Sequence, residues 1–321
     1  MTERIVNEIF SGKPNYSHNV SDSNSSGVGR TAVQSQLIPE LVSEIVLESA
    51  LDASAASLEE VKLIHGDSLE VMARTPEGSV DLIVTSPPYN AGKEYERKTS
   101  LEDYLAFMKS TLILCHQVLS PDGALCLQVG NFVNGGVIEP LDALLLPILK
   151  DLGFKLRNRI VWTFGHGLHC SKRYSGRYET VLWLTKSNEF VFNLDEVRVP
   201  QKYPGKLHYK GPKKGLPSCN PLGKNPGDVW EIPNVKHNHP EKTSHPCQFP
   251  EALIERLVLA HSNPGQCVLD PFSGSGTVGV VCNRLGRRAI LVEREARYTE
   301  MACKRIFGNK QYAIAAAGLG R

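Results

Sequence analysis

The stretch CVLDPFSGSG at residues 267–276 decides how the rest of the chain is read. An apolar run ends in an acid, Asp270. A glycine-rich turn, Pro271-Phe272-Ser273-Gly274-Ser275-Gly276, then opens a helical stretch at Thr277. Glycine lets a backbone turn tightly and approach a ligand closely. The first N–H groups of the helix remain free to meet an anion. About twenty residues further on, a second apolar run, AILVE, ends in Glu293, where an acid can accept hydrogen bonds from both hydroxyls of a ribose. The fully spaced G-x-G-x-x-G fingerprint is absent, and so is the P-loop pattern G-x-x-x-x-G-K-[ST]. A Gly-Ser-Gly turn alone is often just a tight turn. With a strand, an acid and a partner acid at this spacing, it specifies a nucleoside-cofactor site of Rossmann type.

Working outward, strands and helices alternate from Val61 to about Ile306. Apolar runs at 61–65, 80–85, 124–129, 267–270 and 289–292 predict strands. Leu101, Leu105, Met108, Leu112, Cys115 and Leu119 recur at helical spacing behind a capping-box-like Ser100 and Asp103. Pro121-Asp122-Gly123 reads as a turn, and residues 140–152 as a helix that stops at Gly153. Residues 154–164 and 178–185 read as a hairpin pair of long strands. Helices are expected at 250–261, from Gly276 to about Leu285, and after Glu293. Such repetition means a Rossmann-like, mostly parallel α/β sheet with helices on both faces. Residues 16–30, rich in Ser, Asn and Gly, read as a loose arm. Residues 39–51 are expected to form a short helix.

Composition sets the outer bounds. The chain has 321 residues and a net charge of +2, so any basic patch must be local. No apolar run reaches the roughly 18 residues of a membrane span. The N-terminal MTERIVNEIFSGKP lacks an apolar signal core, so a cytoplasmic protein is expected. Eight cysteines without a CxxC pair argue against zinc sites and disulfide frameworks.

A second motif stands far from the first. In DLIVTSPPYN, residues 81–90, an apolar run stops at Thr85-Ser86 and is followed by Pro87, Pro88 and Tyr89. By itself this is a proline-rich loop after a strand. Together with the glycine loop it resembles the S-adenosylmethionine-dependent DNA methyltransferases that modify exocyclic amines, whose pattern is [D/N/S]-P-P-[Y/F/W] plus F-x-G-x-G. The catalytic motif comes first and the cofactor motif last, as in the permuted β group of that family. The resemblance covers roughly residues 60–306.

That resemblance implies a circularly permuted methyltransferase fold. Residues 1–58 would be an N-terminal arm and 59–194 the catalytic half. Residues 195–241 would be a basic target-recognition insertion, 242–308 the cofactor half and 309–321 a tail. It implies S-adenosyl-L-methionine as cofactor, held by Asp67, Asp270, Pro271, Phe272, Ser273, Gly274, Ser275, Gly276, Thr277 and Glu293. Asp67 resembles the adenine-contacting acid, although a Gly-Asp after a strand is also a common solvated turn. The segment KTSHPCQFP at 242–250 looks like the one that walls the methionine end. Its Pro246-Cys247-Gln248 spells the nucleophile motif of cytosine-C5 methyltransferases, but there the motif follows the cofactor loop and has a Glu-Asn-Val partner. Here it precedes the loop and has none, so Cys247 reads as a packed thiol.

The implied chemistry needs Ser86, Pro87, Pro88 and Tyr89. A target amine inside a duplex is reached by flipping its nucleotide out, at a cost of roughly a few kcal/mol. Tyr89 offers the flipped base an aromatic face. Proline lacks an N–H and fixes φ, so the turn presents carbonyl oxygens in a set direction. Ser86 Oγ and the Pro87 carbonyl can then accept both amine hydrogens and turn the lone pair toward the methyl group. Serine before Pro-Pro goes mostly with cytosine N4 in the family, and Asp or Asn with adenine N6. N4-methylcytosine is the expectation, N6-methyladenine the alternative. A cofactor-sensing DNA-binding protein without activity is a reading from another class, opposed by the intact Ser86, Tyr89, Asp270 and Glu293.

Double-stranded DNA is the implied partner, with a cognate restriction endonuclease as a further one, and the enzyme a monomer or homodimer. Cations for phosphates are dense in two places. Lys172, Arg173 and Arg177 are interleaved with Tyr174 and Tyr178, and Lys210, Lys213, Lys214 and Lys224 lie in the insertion. A solvated basic loop is the plainer reading of the same residues. His237, His239 and His245 lack acids or cysteines at ligand spacing, so no metal is expected.

Overall fold

The computed structural model describes residues 61–90, 92, 98–167 and 169–308. The arm at 16–30, the helix expected at 39–51 and the tail at 309–321 lie outside the described residues.

In chain order the elements are β1 (Val61–His65), α1 (Ser68–Arg74), β2 (Val80–Thr85), α2 (Leu101–Val118), β3 (Leu119–Val129), β4 (Asn131–Asn134), β5 (Val137–Pro140), α3 (Leu141–Asp151), β6 (Lys155–Thr163) and β7 (Tyr178–Thr185). A 3₁₀ turn (Leu194–Val197), β8 (Val229–Glu231), α4 (Glu251–His261), β9 (Cys267–Asp270), α5 (Thr277–Leu285), β10 (Arg288–Glu293) and α6 (Ala296–Phe307) complete it. Eight strands form one sheet in the order β1-β10-β9-β2-β3-β7-β6-β8. The run from β1 to β3 is parallel, whereas β7 is antiparallel to both β3 and β6.

Side chains alternate across a strand with period two, and both faces of this sheet are covered. Leu82 and Val84 of β2, with Ala124 and Cys126 of β3, pack against Leu257, Val258, Val278, Val281 and Ala302 of α4, α5 and α6. Ile83, Leu125 and Leu127 face the other way, onto Met108, Leu112, Leu141 and Leu145 of α2 and α3. Each such burial contributes about 1.5–3 kcal/mol, which is why these strands read as nearly continuous apolar runs. The exception, Asp81, sits where β2 begins. Its carboxylate accepts Cys267 N at 2.7 Å and Gln266 Nε2 at 3.0 Å, fastening β2 to β9.

Helix ends follow the sequence. Ser100 Oγ accepts Asp103 N at 3.0 Å and caps α2, while Gly153 at φ +94° lets the chain leave α3. The strand pair β6–β7 is the expected hairpin pair. Three features differ from expectation. Pro121-Asp122-Gly123 is a bulge inside β3, not a turn before it: β2 advances from Val80 to Leu82 while β3 advances from Leu119 to Ala124. The local Ser120 Oγ bond to Asp122 Oδ1, 3.0 Å, closes that bulge. The β4–β5 hairpin was hidden by its Gly135-Gly136 tip, both at positive φ. The irregular stretch after residue 195 contributes an edge strand, β8, because Trp230 is buried beside Trp162 and Val161 N reaches Asp228 O at 2.8 Å.

Strand order changes direction between β9 and β2. The chain leaves β9 toward β10 on one side and leaves β2 toward β3 on the other. In open α/β sheets, ligands bind at such a switch point, outside the carboxyl ends of the strands.

Candidate active site

A cavity of about 560 Å³ opens at that edge, within the usual range for ligand sites. Its walls come from the carboxyl ends of β1, β2, β3, β9 and β10, with Tyr104 and Phe107 of α2 and Trp162 of β6.

The glycine loop forms one wall. Gly274 has φ +50°, and a Cβ there would stand 3.0 Å from His245 Nε2. The His245 ring packs edge-on against Tyr298, 4.4 Å between centroids. Glu293 holds the loop from β10: its Oε2 accepts Gly274 N at 2.9 Å and its Oε1 accepts Glu295 N at 2.8 Å. Burial raises the Glu293 carboxyl above its ordinary range, and the backbone donors oppose that. Across the cavity, Asp67 caps α1, with Oδ1 accepting Leu69 N at 2.8 Å. It is thus both a helix cap and a cavity residue. Phe272 lies 6.1 Å from Phe107, centroid to centroid.

Not every residue expected on this wall is there. Asp67, Pro271, Phe272, Ser273, Gly274, Ser275 and Glu293 line the cavity, but Asp270, Gly276 and Thr277 stand behind it. Gly276, at φ +75°, is a packing glycine, since a Cβ would meet Ala302 Cβ at 2.8 Å. Thr277 Oγ1 accepts Arg305 Nη1 at 2.7 Å, part of a brace from α6 that also reaches Glu251 at 2.8 Å. Asp270 is fully buried and accepts Thr85 Oγ1 at 2.7 Å and Phe272 N at 3.2 Å. It therefore joins the glycine loop to the residue before Ser86. Burial pushes its carboxyl up to about 7.

Ser86, Pro87, Pro88 and Tyr89 all line the other wall. Asn90, at φ +58°, ends the loop and is locked to Thr99, whose N–H it accepts at 2.7 Å. Tyr89 Oη takes a hydrogen bond from Ser86 Oγ at 3.1 Å and donates to Gln128 Oε1 at 2.7 Å. Gln128 Nε2 in turn donates to Glu179 Oε2. Burial, then the Glu179 charge, raise the Tyr89 hydroxyl well above its ordinary value, and burial raises Glu179.

Gln128 and Glu179 were missed from the sequence, as were Trp162 and Phe164 beside them. A signal existed for Gln128, the lone polar residue in ALCLQV. Glu179 gave none, because it opens β7 among ordinary strand residues. Cys247, expected to be packed, is exposed and borders the cavity. The tight turn there, with Cys247 N donating to His245 Nδ1 at 3.2 Å, leaves the thiol outside.

The expected DNA contacts are all away from the cavity. Residues 206–218 form a loop closed by His208 N to Leu216 O at 2.9 Å, and Lys210, Lys213 and Lys214 are exposed on it. Lys224 is exposed where its backbone pairs with Val199. Lys172 and Arg173 are exposed and Arg177 half-buried, its Nη1 on Gly176 O at 2.7 Å. Among the described residues no cluster of His, Cys, Asp and Glu has the makings of a metal site, and no helix is long and apolar enough to cross a membrane.

Residues 80–304 match the N6/N4 methyltransferase family of DNA methylases. The chain belongs to this family. The methylase is 49% identical to the type II methyltransferase M.BglII of Bacillus subtilis, over 77% of this chain and 69% of that enzyme. It is 34% identical to the DNA adenine methyltransferase YhdJ of Escherichia coli strain K12, over 76% of this chain and 82% of that enzyme. The solved PvuII DNA methyltransferase (cytosine-N4-specific) shares the fold, with a TM-score of 0.63 over 81% of this chain and 92% of its own, at 22% identity. The cofactor of the methylase is S-adenosylmethionine, with which solved relatives are complexed. The site's chemistry fits that group. Asp270 Oδ2 and Ser273 Oγ are buried without a hydrogen-bond partner, which is costly unless a ligand or water supplies a donor.

Proposed function

We propose that this DNA methylase transfers a methyl group to the N4 amine of a flipped cytosine in duplex DNA. The observation that carries it is Ser86, a neutral hydroxyl before Pro-Pro, placed on the cavity wall opposite the glycine loop. The bound cofactor supplies an electrophilic methyl group on a sulfonium. Asp67 and Glu293 would hold its nucleoside end, with Phe272 to Ser275 shaping the wall between them. Asp270 would act from behind that wall, through the loop it fastens and its unpaired Oδ2.

Ser86 Oγ and the Pro87 carbonyl would accept the two amine hydrogens. That geometry takes the lone pair out of conjugation with the ring and aims it at the methyl. Most of the acceleration then comes from positioning. Tyr89, Pro88 and the aromatic Trp162 and Phe164 would enclose the base. Lys172, Arg173, Arg177, Lys210, Lys213, Lys214 and Lys224 would meet phosphates, which position the duplex without reading it. The type II relatives favour a cognate restriction endonuclease as partner.

Cytosine and adenine present similar amines, and the relatives include a DNA adenine methyltransferase, so the base rests on the serine. Nucleoside mass spectrometry of DNA methylated by the purified protein is the test. N4-methylcytosine is expected, and N6-methyladenine as the sole product would overturn the cytosine assignment.

A further inference from the structure

The transferred methyl leaves the amine with a proton too many, and the structure places a route for it. We propose that Glu179 is the terminal acceptor of that proton, reached through Ser86 and Tyr89. The proposal rests on Ser86 holding the target amine.

The geometry runs one way. Ser86 Oγ donates to Tyr89 Oη at 3.1 Å. The Tyr89 hydroxyl donates to Gln128 Oε1 at 2.7 Å and has Glu179 Oε2 at 3.4 Å as its other acceptor. Gln128 bridges the two by donating to the same Glu179 oxygen. Every hydroxyl proton therefore points away from the cavity's reactive edge and toward the carboxylate. The Tyr89 ring is wedged against Gly130, where a Cβ would come within 2.8 Å of Tyr89 Cε2, so the relay has little slack.

Glu179 is also an unusual carboxylate for a purely structural post. Its side-chain partners are two neutral groups, and among the described residues no cation pairs with it. Leaving a carboxylate so placed is costly unless it has a task. The titratable groups near it are Tyr89, from the loop after β2, and Cys247, whose charge reaches Tyr89 from the segment before α4. Across from it on β6 is Trp162, which carries no charge. Burial makes Glu179 a better proton acceptor than an ordinary carboxylate, and keeps Tyr89 protonated as a neutral link.

The step balances. The amine lone pair forms the new N–C bond, and the methyl–sulfur bond breaks with its electron pair staying on sulfur. One proton of the cationic amine passes to Ser86 Oγ while the serine proton moves to Tyr89 Oη and the tyrosine proton to Glu179 Oε2. A neutral methylated amine and a neutral carboxylic acid result. The acid returns its proton to solvent after product leaves.

The test is single-turnover methyl transfer to a duplex oligonucleotide across pH, for Glu179→Gln, Tyr89→Phe and Ser86→Ala beside the wild type. Calorimetry of cofactor binding reports on folding. In the wild type the rate should fall as pH drops through the raised pKa of Glu179. Glu179→Gln should be slower by about 10- to 10²-fold, at or below the low end for a lost acid–base group, and should lack that acid limb. Tyr89→Phe, which keeps the ring and cuts the chain, should lose the limb as well, and serves alone if Glu179→Gln does not fold. Either variant retaining the wild-type limb overturns the relay, even if it is slower. If that happens while Ser86→Ala is severely slowed, the relay fails and the amine-holding role stands. Ser86→Ala at the wild-type rate removes both.

Discussion

Two loops meet at the switch point of the sheet, and they are held by different means. The glycine loop after β9 is fixed mainly by backbone. Gly274 and Gly276 adopt positive φ, Gly274 N and Glu295 N bind Glu293, and Ser273 N reaches Val292 O at 2.9 Å. The Ser-Pro-Pro-Tyr loop after β2 is fixed by side chains from afar: Thr85 on Asp270, Tyr89 on Gln128 and Glu179. A loop built from local backbone keeps its shape whatever enters the cavity, which suits binding. A loop tied by side-chain hydrogen bonds carries its reactive group inside a polar network, which suits chemistry.

The most disruptive way to break the comparison is at the point where the loops touch. Asp270 has its folded-state pKa raised to about 7 by burial, from an ordinary 3.8. Its stabilising contribution is therefore fully present below the ordinary value and is lost as pH rises through about 7. Each pKa unit is worth about 1.4 kcal/mol, so the swing is on the order of a few kcal/mol. Urea unfolding of the cofactor-free protein should show stability falling between pH 4 and 8, and Asp270→Asn should flatten that fall. An equally steep profile in the Asn variant would place the buried charge elsewhere.

A smaller effect sharpens the backbone side. Gly279 lies inside α5, where a Cβ would stand 2.4 Å from Leu291 Cδ1 and 2.7 Å from Ile306 Cδ1. Gly279→Ala should cost about 1–3 kcal/mol of unfolding free energy by overpacking, despite alanine's better helix propensity. A variant as stable as the wild type would show that the helix under the loop can shift.

The smallest effect lies outside both loops. Neutralising Lys213 and Lys214 together should weaken binding to all DNA sequences and flatten the salt dependence by roughly 1–2 units of log–log slope. Cofactor affinity should not change. An unaltered slope would move the DNA surface away from residues 206–218.

The same contrast explains what was legible in the sequence. Backbone-held features leave local marks: the Gly-Ser-Gly turn, the acid closing each strand, Ser100 capping α2. Apolar alternation gave the parallel core because both faces of β2 and β3 are buried. Side-chain networks leave none, since Tyr89 meets partners 39 and 90 residues away. Gly276 and Thr277 fit the cofactor motif by position, yet only the packing of Ala302 and Arg305 reveals that they support the loop from behind. Irregular segments hid most, as β8 and the β4–β5 hairpin show: three- and four-residue strands carry too little periodicity.

The division of labour between the loops is tested most directly by one paired measurement: cofactor affinity by calorimetry and single-turnover methyl transfer, on Glu293→Ala and Ser86→Ala. Glu293→Ala should weaken cofactor binding by about 1–3 kcal/mol, the scale of a lost charged hydrogen bond. Ser86→Ala should keep that affinity and lose on the order of 10²-fold or more in rate, the scale of one lost transition-state hydrogen-bonding group. A Glu293→Ala protein that is folded and binds the cofactor as the wild type does, or a Ser86→Ala protein that transfers methyl at the wild-type rate, would contradict the account.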